Sequence, residues 1–299
     1  MGENRKGLLL AFAAYTMWGV FPLYWPLLEP AGPVEMLAHR VLWSAVTMLV
    51  AVLVLRRVPQ VLAVLRNPRQ RRILFTASVI ITANWGVYIY GVVNEHVIET
   101  SLGYFIGPLV TVAIAVLVLH EQLNPTQRVA LTMSAVAVVG LTVDYGRPPW
   151  IALALAVSFA VYGLLKKTVG AGAIEGLTVE SVAMTPVALG FLSWLELTGR
   201  GQAFAVGPGH FALLATSGIV TDAPLLCFAA AAPRVSLTTI GMVQYVGPSL
   251  QFLIGVAILD EPMPAVRWGG FVLIWAALAL FTTDAVRRRR TPVSVEAPT

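Results

Sequence analysis

A series of about ten apolar runs, each roughly 20 residues long and joined by short polar stretches, most limits what this chain can fold into. As a helix, a run of that length crosses a ~30 Å hydrocarbon core. Charged residues make up only 12% of the 299 residues, against 58% hydrophobic. A soluble domain carries about a quarter charged residues, so a water-facing surface cannot be assembled here. The runs are continuously apolar and do not alternate as β-barrel strands would. The expected fold class is therefore an all-α polytopic membrane protein. Its ten transmembrane helices are placed at 7–28, 34–55, 73–93, 101–119, 126–143, 149–165, 177–198, 210–231, 236–259 and 265–285. The connecting segments leave no room for a soluble catalytic domain. The first run follows a basic flank, MGENRK, but continues for about 22 residues, beyond a signal-peptide core, and is expected to remain as a span.

The basic residues orient the spans. With the N-terminus inside, 16 of the 20 Lys and Arg residues fall in inside segments, including Arg56, Arg57, Arg66, Arg69, Arg71, Arg72 and Arg287 to Arg290. Three, Arg147, Arg200 and Arg267, fall outside, and Arg40 lies within a span. Basic residues concentrate on the cytoplasmic side of membrane proteins, so both termini are expected in the cytoplasm. The run Arg287 to Arg290 also suits contact with anionic lipid.

The chain repeats itself. A shift of 140 residues sets SLGYFIGPLVTVAIAVLVLHE over GMVQYVGPSLQFLIGVAILDE, so that Gly107-Pro108 meets Gly247-Pro248 and Glu121 meets Glu261. At slightly different offsets Trp18-Gly19 meets Tyr162-Gly163 and Glu35 meets Glu180. Two five-helix units are expected, 1–145 and 146–286, followed by a basic tail, 287–299. An odd number of spans per unit inverts the second unit in the membrane. Inverted repeats are typical of transporters, with the substrate site near the midplane where the repeats meet.

Polar residues inside spans cost free energy and need a reason. Glu35 and His39 lie four apart on one face of span two, with Arg40 beside them. Either Arg40 snorkels outward, or it and His39 face the interior and line the outer mouth of a pathway. Span three places Asn84, Tyr88 and Gly91 on one stripe, suited equally to a solute and to a neighbouring helix. Gln244, Pro248 and Gln251 form a stripe in span nine with Tyr245 adjacent, and Tyr104, Pro108 and Thr111 take matching positions in span four. A mid-span proline frees backbone carbonyls, tolerable where other groups or a wet cavity satisfy them. The paired Gly-Pro sites therefore point to a pathway or, failing that, to a symmetric packing kink. Asp222, near the centre of span eight, is either a proton-binding group or a hydrogen-bond donor to another helix. The expected cavity is lined by spans one, three, four, six, eight and nine through Tyr15, Trp18, Asn84, Tyr88, Tyr104, Tyr162, Gln244 and Gln251, and the expected pathway adds His39, Arg40, Pro108, Asp222, Tyr245 and Pro248. Glu121 and Glu261 read as structural.

Enzyme signatures fail. His120-Glu121 has Asn124 where a zinc protease needs histidine, and there is no P-loop and no nucleophile elbow. The single cysteine, Cys227, lies inside an apolar run and implies neither a disulfide nor a cysteine metal site. No cofactor or metal and no nucleic acid is expected; the partners are a small-molecule substrate and the lipid bilayer. The rival function, a membrane-embedded enzyme acting on a lipid-like substrate, rests on no motif.

The segments YTMWGVFPLYW, EMLAHRVLWS, NWGVYIYGV, ETSLGYFIGPLV, SFAVYGLLKK, PLLCFAAAA and QYVGPSLQFLIGV occur in that order over nearly the whole chain. In this they resemble the RarD-type permeases of the drug/metabolite transporter superfamily, ten-helix proteins of bacterial inner membranes made of two EamA-type repeats. The resemblance implies export or exchange of small organic solutes, and the family name implies a link to chloramphenicol sensitivity. The chain departs from that family at Asp222, whose position is usually small and uncharged, so no family-wide proton site carries over to it. The four-helix exporters of the same superfamily use an acid in their first helix, and residues 8–28 contain none.

Overall fold

The computed structural model describes residues 3–119, 125–231, 234 and 243–290, and every regular element among them is helical. Helix α1 (Glu3–Gly19) breaks into a short α2 (Phe21–Tyr24) and a 3-10 turn (Trp25–Leu28). Then come α3 (Pro33–Val54), α4 (Val58–Arg66), α5 (Pro68–Val93), α6 (Val97–Leu119) and α7 (Pro125–Tyr145). The second half holds α8 (Trp150–Val169), α9 (Ala173–Leu197), α10 (Pro208–Ala231), α11 (Val246–Ala257) and α12 (Ala265–Arg290). Glu121 lies outside the described residues, as does the tail beyond Arg290.

Local sequence sets the helix starts. Proline opens α3, α5, α7 and α10, at a position where its missing N–H would be unpaired in any helix. Asn67 caps α5, its Oδ1 accepting from the backbone N–H of Arg69 (3.0 Å) and Gln70 (3.2 Å). Helices α3, α5, α7, α9 and α10 each have the length and apolarity to cross a membrane alone, and α1 with the elements up to Leu28 makes a further candidate bent by 44°. Their outward faces carry large apolar side chains in the open, such as Val54 at 74% and Leu197 at 87% exposure. A soluble surface does not tolerate that much apolar area, and lipid does; the chain is a multi-pass membrane protein.

Residues 56–72, a plain connection in the ten-span reading, contain α4. This helix has only nine residues, too few to announce itself by periodicity, and it lies against α9. Val64 and its neighbour Val61 join Leu74, Val169 and Val179 in a small apolar cluster, while Leu62 and Leu65 stay exposed.

The packing has an internal order. Helix α3 lies against α9 and α10, α5 against α8 and α9, α1 against α10 and α11, α6 against α8 and α11, and α7 against α12. Helices α9, α10 and α12 each start 140 residues after α3, α5 and α7 respectively. That constant register sets Glu35 against Glu175 in the first turns of α3 and α9, whereas residue likeness pairs it with Glu180. It also sets Arg40 against Glu180.

Contacts sort the helix ends into two groups. At one end Glu35 Oε1 accepts from the N–H of Gln202 (2.8 Å) and Ala203 (3.2 Å), and His210 Nε2 is 2.9 Å from the Leu28 carbonyl oxygen. Glu99 accepts from Arg147 (2.9 Å) and Ile151 N–H (3.0 Å), Glu261 from the N–H of Val97 and Ile98, and Asp144 from Arg267 (2.8 Å). At the other end Arg57 pairs with Glu175 (3.2 Å), Gln70 donates to the carbonyls of Val169 and Gly170 (both 3.2 Å), and Arg234 pairs with Glu3 (2.9 Å).

Close helix approach depends on glycine at Gly218, where α10 crosses α3 and a Cβ would fall on the Trp43 carbonyl group and 2.8 Å from Ser44 N. Gly190 in α9 has open space around it. Gly218→Val is expected to destabilise the detergent-solubilised protein by about 1–3 kcal/mol through overpacking. Gly190→Val should leave the thermal unfolding midpoint nearly unchanged, and equal effects at the two positions would contradict this packing.

Candidate functional site

The most buried polar cluster joins three helices. Asp222, in the middle of α10, is 0% exposed and accepts a hydrogen bond from Ser44 Oγ of α3 at 2.7 Å. Ser44 Oγ also lies 3.1 Å from Ser181 Oγ of α9. The expected hydrogen bond from Asp222 to another helix thus exists with the roles reversed, since the serine hydroxyl donates. The second carboxyl oxygen, Oδ2, has no partner among the described residues.

One turn before Ser44 on the same helix, Arg40 is 3% exposed, so it does not snorkel to the surface. Its guanidinium lies over the Trp85 ring (4.0 Å to the centroid) and the Trp25 ring (5.2 Å). Tyr24, Tyr88, Tyr104 and Asp222 stand within its electrostatic reach. Tyr88 and Tyr104 meet edge to face at 5.9 Å. His39, 4% exposed, also faces inward, edge-on to Phe211 at 6.5 Å.

Asn84 lies deep on α5 and donates through Nδ2 to the Leu155 carbonyl (3.1 Å) and Ser158 Oγ (2.8 Å) of α8. Its amide nitrogen therefore pins two helices, while Oδ1 has no partner among the described residues. The rest of the stripe divides the same way: a Cβ on Gly91 would strike Thr100 and Ile151, which is packing, whereas the Tyr88 hydroxyl is buried and has no partner among the described residues.

Tyr15 and Trp18 of α1 form an aromatic group with Phe228 of α10, at centroid distances of 5.2–6.0 Å. Pro22 has no N–H, so the Trp18 carbonyl four residues earlier lacks a helical partner. Gln251 Nε2 of α11 supplies one at 3.1 Å. Gln251 thus repairs the break that ends α1, and its Oε1 has no partner among the described residues. Tyr162 stands apart from Arg40 and donates to Glu180 Oε2 (3.0 Å), whose other oxygen accepts from Lys166 Nζ (2.7 Å).

The two Gly-Pro sites are not equivalent. Pro108 falls in the interior of α6, its side chain outside the described residues, whereas Pro248 is the third residue of α11. Pro248 stands in the first turn of α11, directly after the turn at Gln244 and Tyr245 that separates this helix from helical Val243. Gln244 and Tyr245 are half-buried in the turn ahead of it, Tyr245 packing on the α6–α12 core.

The polar cluster around Ser44 and Asp222 also draws on α9, which the expected pathway leaves out. Sequence pattern alone does not single out Ser44, Ser181, Trp25, Trp85 or Glu180 as members of it. A small cleft between α3, α5 and α9 is lined by Val41, Ile81, Thr82, Trp85, Glu180, Ser181 and Met184. The Arg40-to-Ser44 spacing of four is a readable signal; Ser181 is an ordinary serine in sequence and only the α3–α9 crossing gives it a place.

Residues 5–143 match the EamA-like transporter family. The chain is 50% identical to Protein RarD of Streptomyces exfoliatus, over 99% of this chain and 95% of that protein. It is 40% identical to Uncharacterized transporter YojE of Bacillus subtilis (strain 168), over 96% and 97% of the two chains. It is 37% identical to Protein RarD of Escherichia coli (strain K12), again over 96% and 97%. A solved crystal structure superposes with a TM-score of 0.60 at 20% identity, covering 95% of this chain and 99% of that one; the likeness bears on the fold alone.

The Ser44–Asp222 bond makes a direct prediction. A double-mutant cycle of Ser44→Ala and Asp222→Ala, read by thermal unfolding in detergent, is expected to give a coupling of about 0.6–2 kcal/mol, the usual span for hydrogen bonds between membrane helices. Additive single effects would mean that the two side chains do not meet.

Proposed function

The chain belongs to the EamA-like transporter family as a RarD-type permease, and on that premise we propose that it is a secondary transporter exporting or exchanging small organic metabolites by alternating access. Ten helices form two inverted five-helix repeats, 1–145 and 146–286, in a bacterial inner membrane with both termini in the cytoplasm. Two features support the repeat: the constant 140-residue register of helix starts, and a contact pattern that maps onto itself when the halves are exchanged. Under that exchange α1–α10 becomes α5–α8, α1–α11 becomes α6–α8, and α3–α10 becomes α5–α9. The sorting of helix ends supports the assignment of the connections to two opposite sides, since each contact described above joins segments assigned to one side, and the excess of Lys and Arg in one set gives the orientation.

The observation that carries the function is a group of buried polar atoms without partners among the described residues, including Arg40 Nε, both His39 ring nitrogens, Asn84 Oδ1, Tyr88 Oη, Asp222 Oδ2 and Gln251 Oε1. Unmet hydrogen-bonding groups are costly in a protein interior and are retained where a solute meets them. Aromatic walls with a few placed polar groups are the usual make-up of a small-molecule pocket. With no nucleotide-binding motif in the sequence, the driving force is a solute or ion gradient.

Two measurements test this. In a Cys227→Ser background, single cysteines at 57–71 are expected to react with an impermeant reagent only from the cytoplasm, and those at 200–208 only from outside; labelling from one side at both loops ends the inverted-repeat reading. Purified protein in liposomes is expected to carry solutes from a metabolite and antibiotic panel with saturable flux. Product formation without flux would point to an enzyme instead.

A further inference from the structure

Each buried charged residue described at the ends of the bundle has a partner. Glu35 takes two backbone N–H groups, Glu99 takes Arg147, Glu175 takes Arg57, and Glu180 takes Lys166. Asp222 takes Ser44. Arg40 is the exception: among the described residues it makes no hydrogen bond and no ion pair, although it is 3% exposed. Its guanidinium carbon lies over the Trp85 and Trp25 rings. Asp222 is the carboxylate in its surroundings, yet it stands beyond ion-pair distance and is held by Ser44.

A cation removed from water without a counter-charge is strongly unfavourable, and cation–π contact with two indoles offsets only part of that. What remains is a planar fork of N–H donors beside two indole rings, with no hydrogen-bond acceptor among the described residues. That geometry matches a carboxylate, which accepts two parallel hydrogen bonds from one guanidinium. The surroundings select further. Trp25, Trp85, Tyr88 and Tyr104 offer aromatic surface to an apolar body. One guanidinium balances one negative charge.

Resting on the transporter reading above, the geometry points to Arg40 as the substrate's anchor: the protein binds a monoanionic organic acid with an apolar or aromatic body, its carboxylate bridged by the Arg40 guanidinium and its body against the Trp25, Trp85, Tyr88 and Tyr104 rings. Trp85 holds the guanidinium in place as a positioning residue.

The test uses the full chain in detergent, with 3-phenylpropionate, benzoate and acetate as acids, 3-phenylpropanamide as the neutral isostere and 2-phenylethylamine as the cation. Binding is read from the unfolding midpoint, which a ligand of the folded state raises, and from tryptophan fluorescence. The aromatic acids are expected to raise the midpoint, and 3-phenylpropionate to bind about tenfold or more tightly than its amide, as loss of a charge-assisted bond implies. Arg40→Gln is expected to abolish that preference. Arg40→Lys, which keeps the charge but loses the fork, is expected to keep the preference with affinity about tenfold lower. If Arg40→Gln does not fold, the Lys variant and the wild-type comparison of acid with amide decide. Equal binding of acid and amide, stronger binding of the amine, no shift with any acid, or an unchanged preference in Arg40→Gln would each overturn the assignment. Saturable flux of neutral solutes in liposomes without acid binding would leave the transporter standing and remove the anchor. Acid binding without flux of any solute would do the reverse.

Discussion

A hydrocarbon interior gives a peptide group no water to bond with, and the structure depends on how the chain replaces that water at helix ends and breaks. Carboxylates do most of this. Glu35 takes the N–H groups of Gln202 and Ala203 ahead of α10, Glu261 those of Val97 and Ile98 at the start of α6, and Glu99 that of Ile151 in α8. Each bond runs from a side chain to a distant backbone segment, so satisfying a helix end also fixes where one helix stands relative to another. Gln251 does the same for the carbonyl that Pro22 leaves open in the first span. Residues that look like costly polar intrusions in an apolar sequence are thus the joints of the bundle.

Much of the architecture is legible in the order of residues alone. Continuous apolar runs mark the helices because length and hydropathy are local properties, and X-Pro steps such as Asn67-Pro68 mark where several begin. The nine-residue α4 is not legible, since it is short, begins beside a proline and owes its place to contact with α9. The repeat is visible in rare residues, but its register drifts: by likeness Glu35 answers Glu180, whereas the helix starts align it with Glu175. Three helix starts, those of α9, α10 and α12, keep one offset from α3, α5 and α7, which residue likeness alone cannot recover in so uniform a composition.

The site is half legible for a similar reason. Arg40, Asn84 and Asp222 stand out because charge and amide are scarce within spans. Ser44, Ser181 and Trp85 do not, because serine and tryptophan are unremarked in such a chain, and their meaning comes from the crossing of α3 with α9 and α10. The sequence also suggests two equal Gly-Pro kinks. Whether a proline disrupts a helix depends on its distance from the helix start, which for Pro248 is two residues and for Pro108 more than two turns.

The shared 140-residue register sets Arg40 of α3 opposite Glu180 of α9 as equivalent positions. A carrier built from identical inverted halves would have two end states of equal free energy, one the image of the other, and no intrinsic sense of direction. Opposite charges at equivalent places remove that degeneracy. A charged solute would meet an attractive group from one doorway and a repulsive one, masked by Lys166, from the other. The two end states would then differ in both occupancy and lifetime, and the carrier would rectify: its resting posture and the ease of loading from each side would follow from a single pair of residues that broke ranks with the symmetry around them.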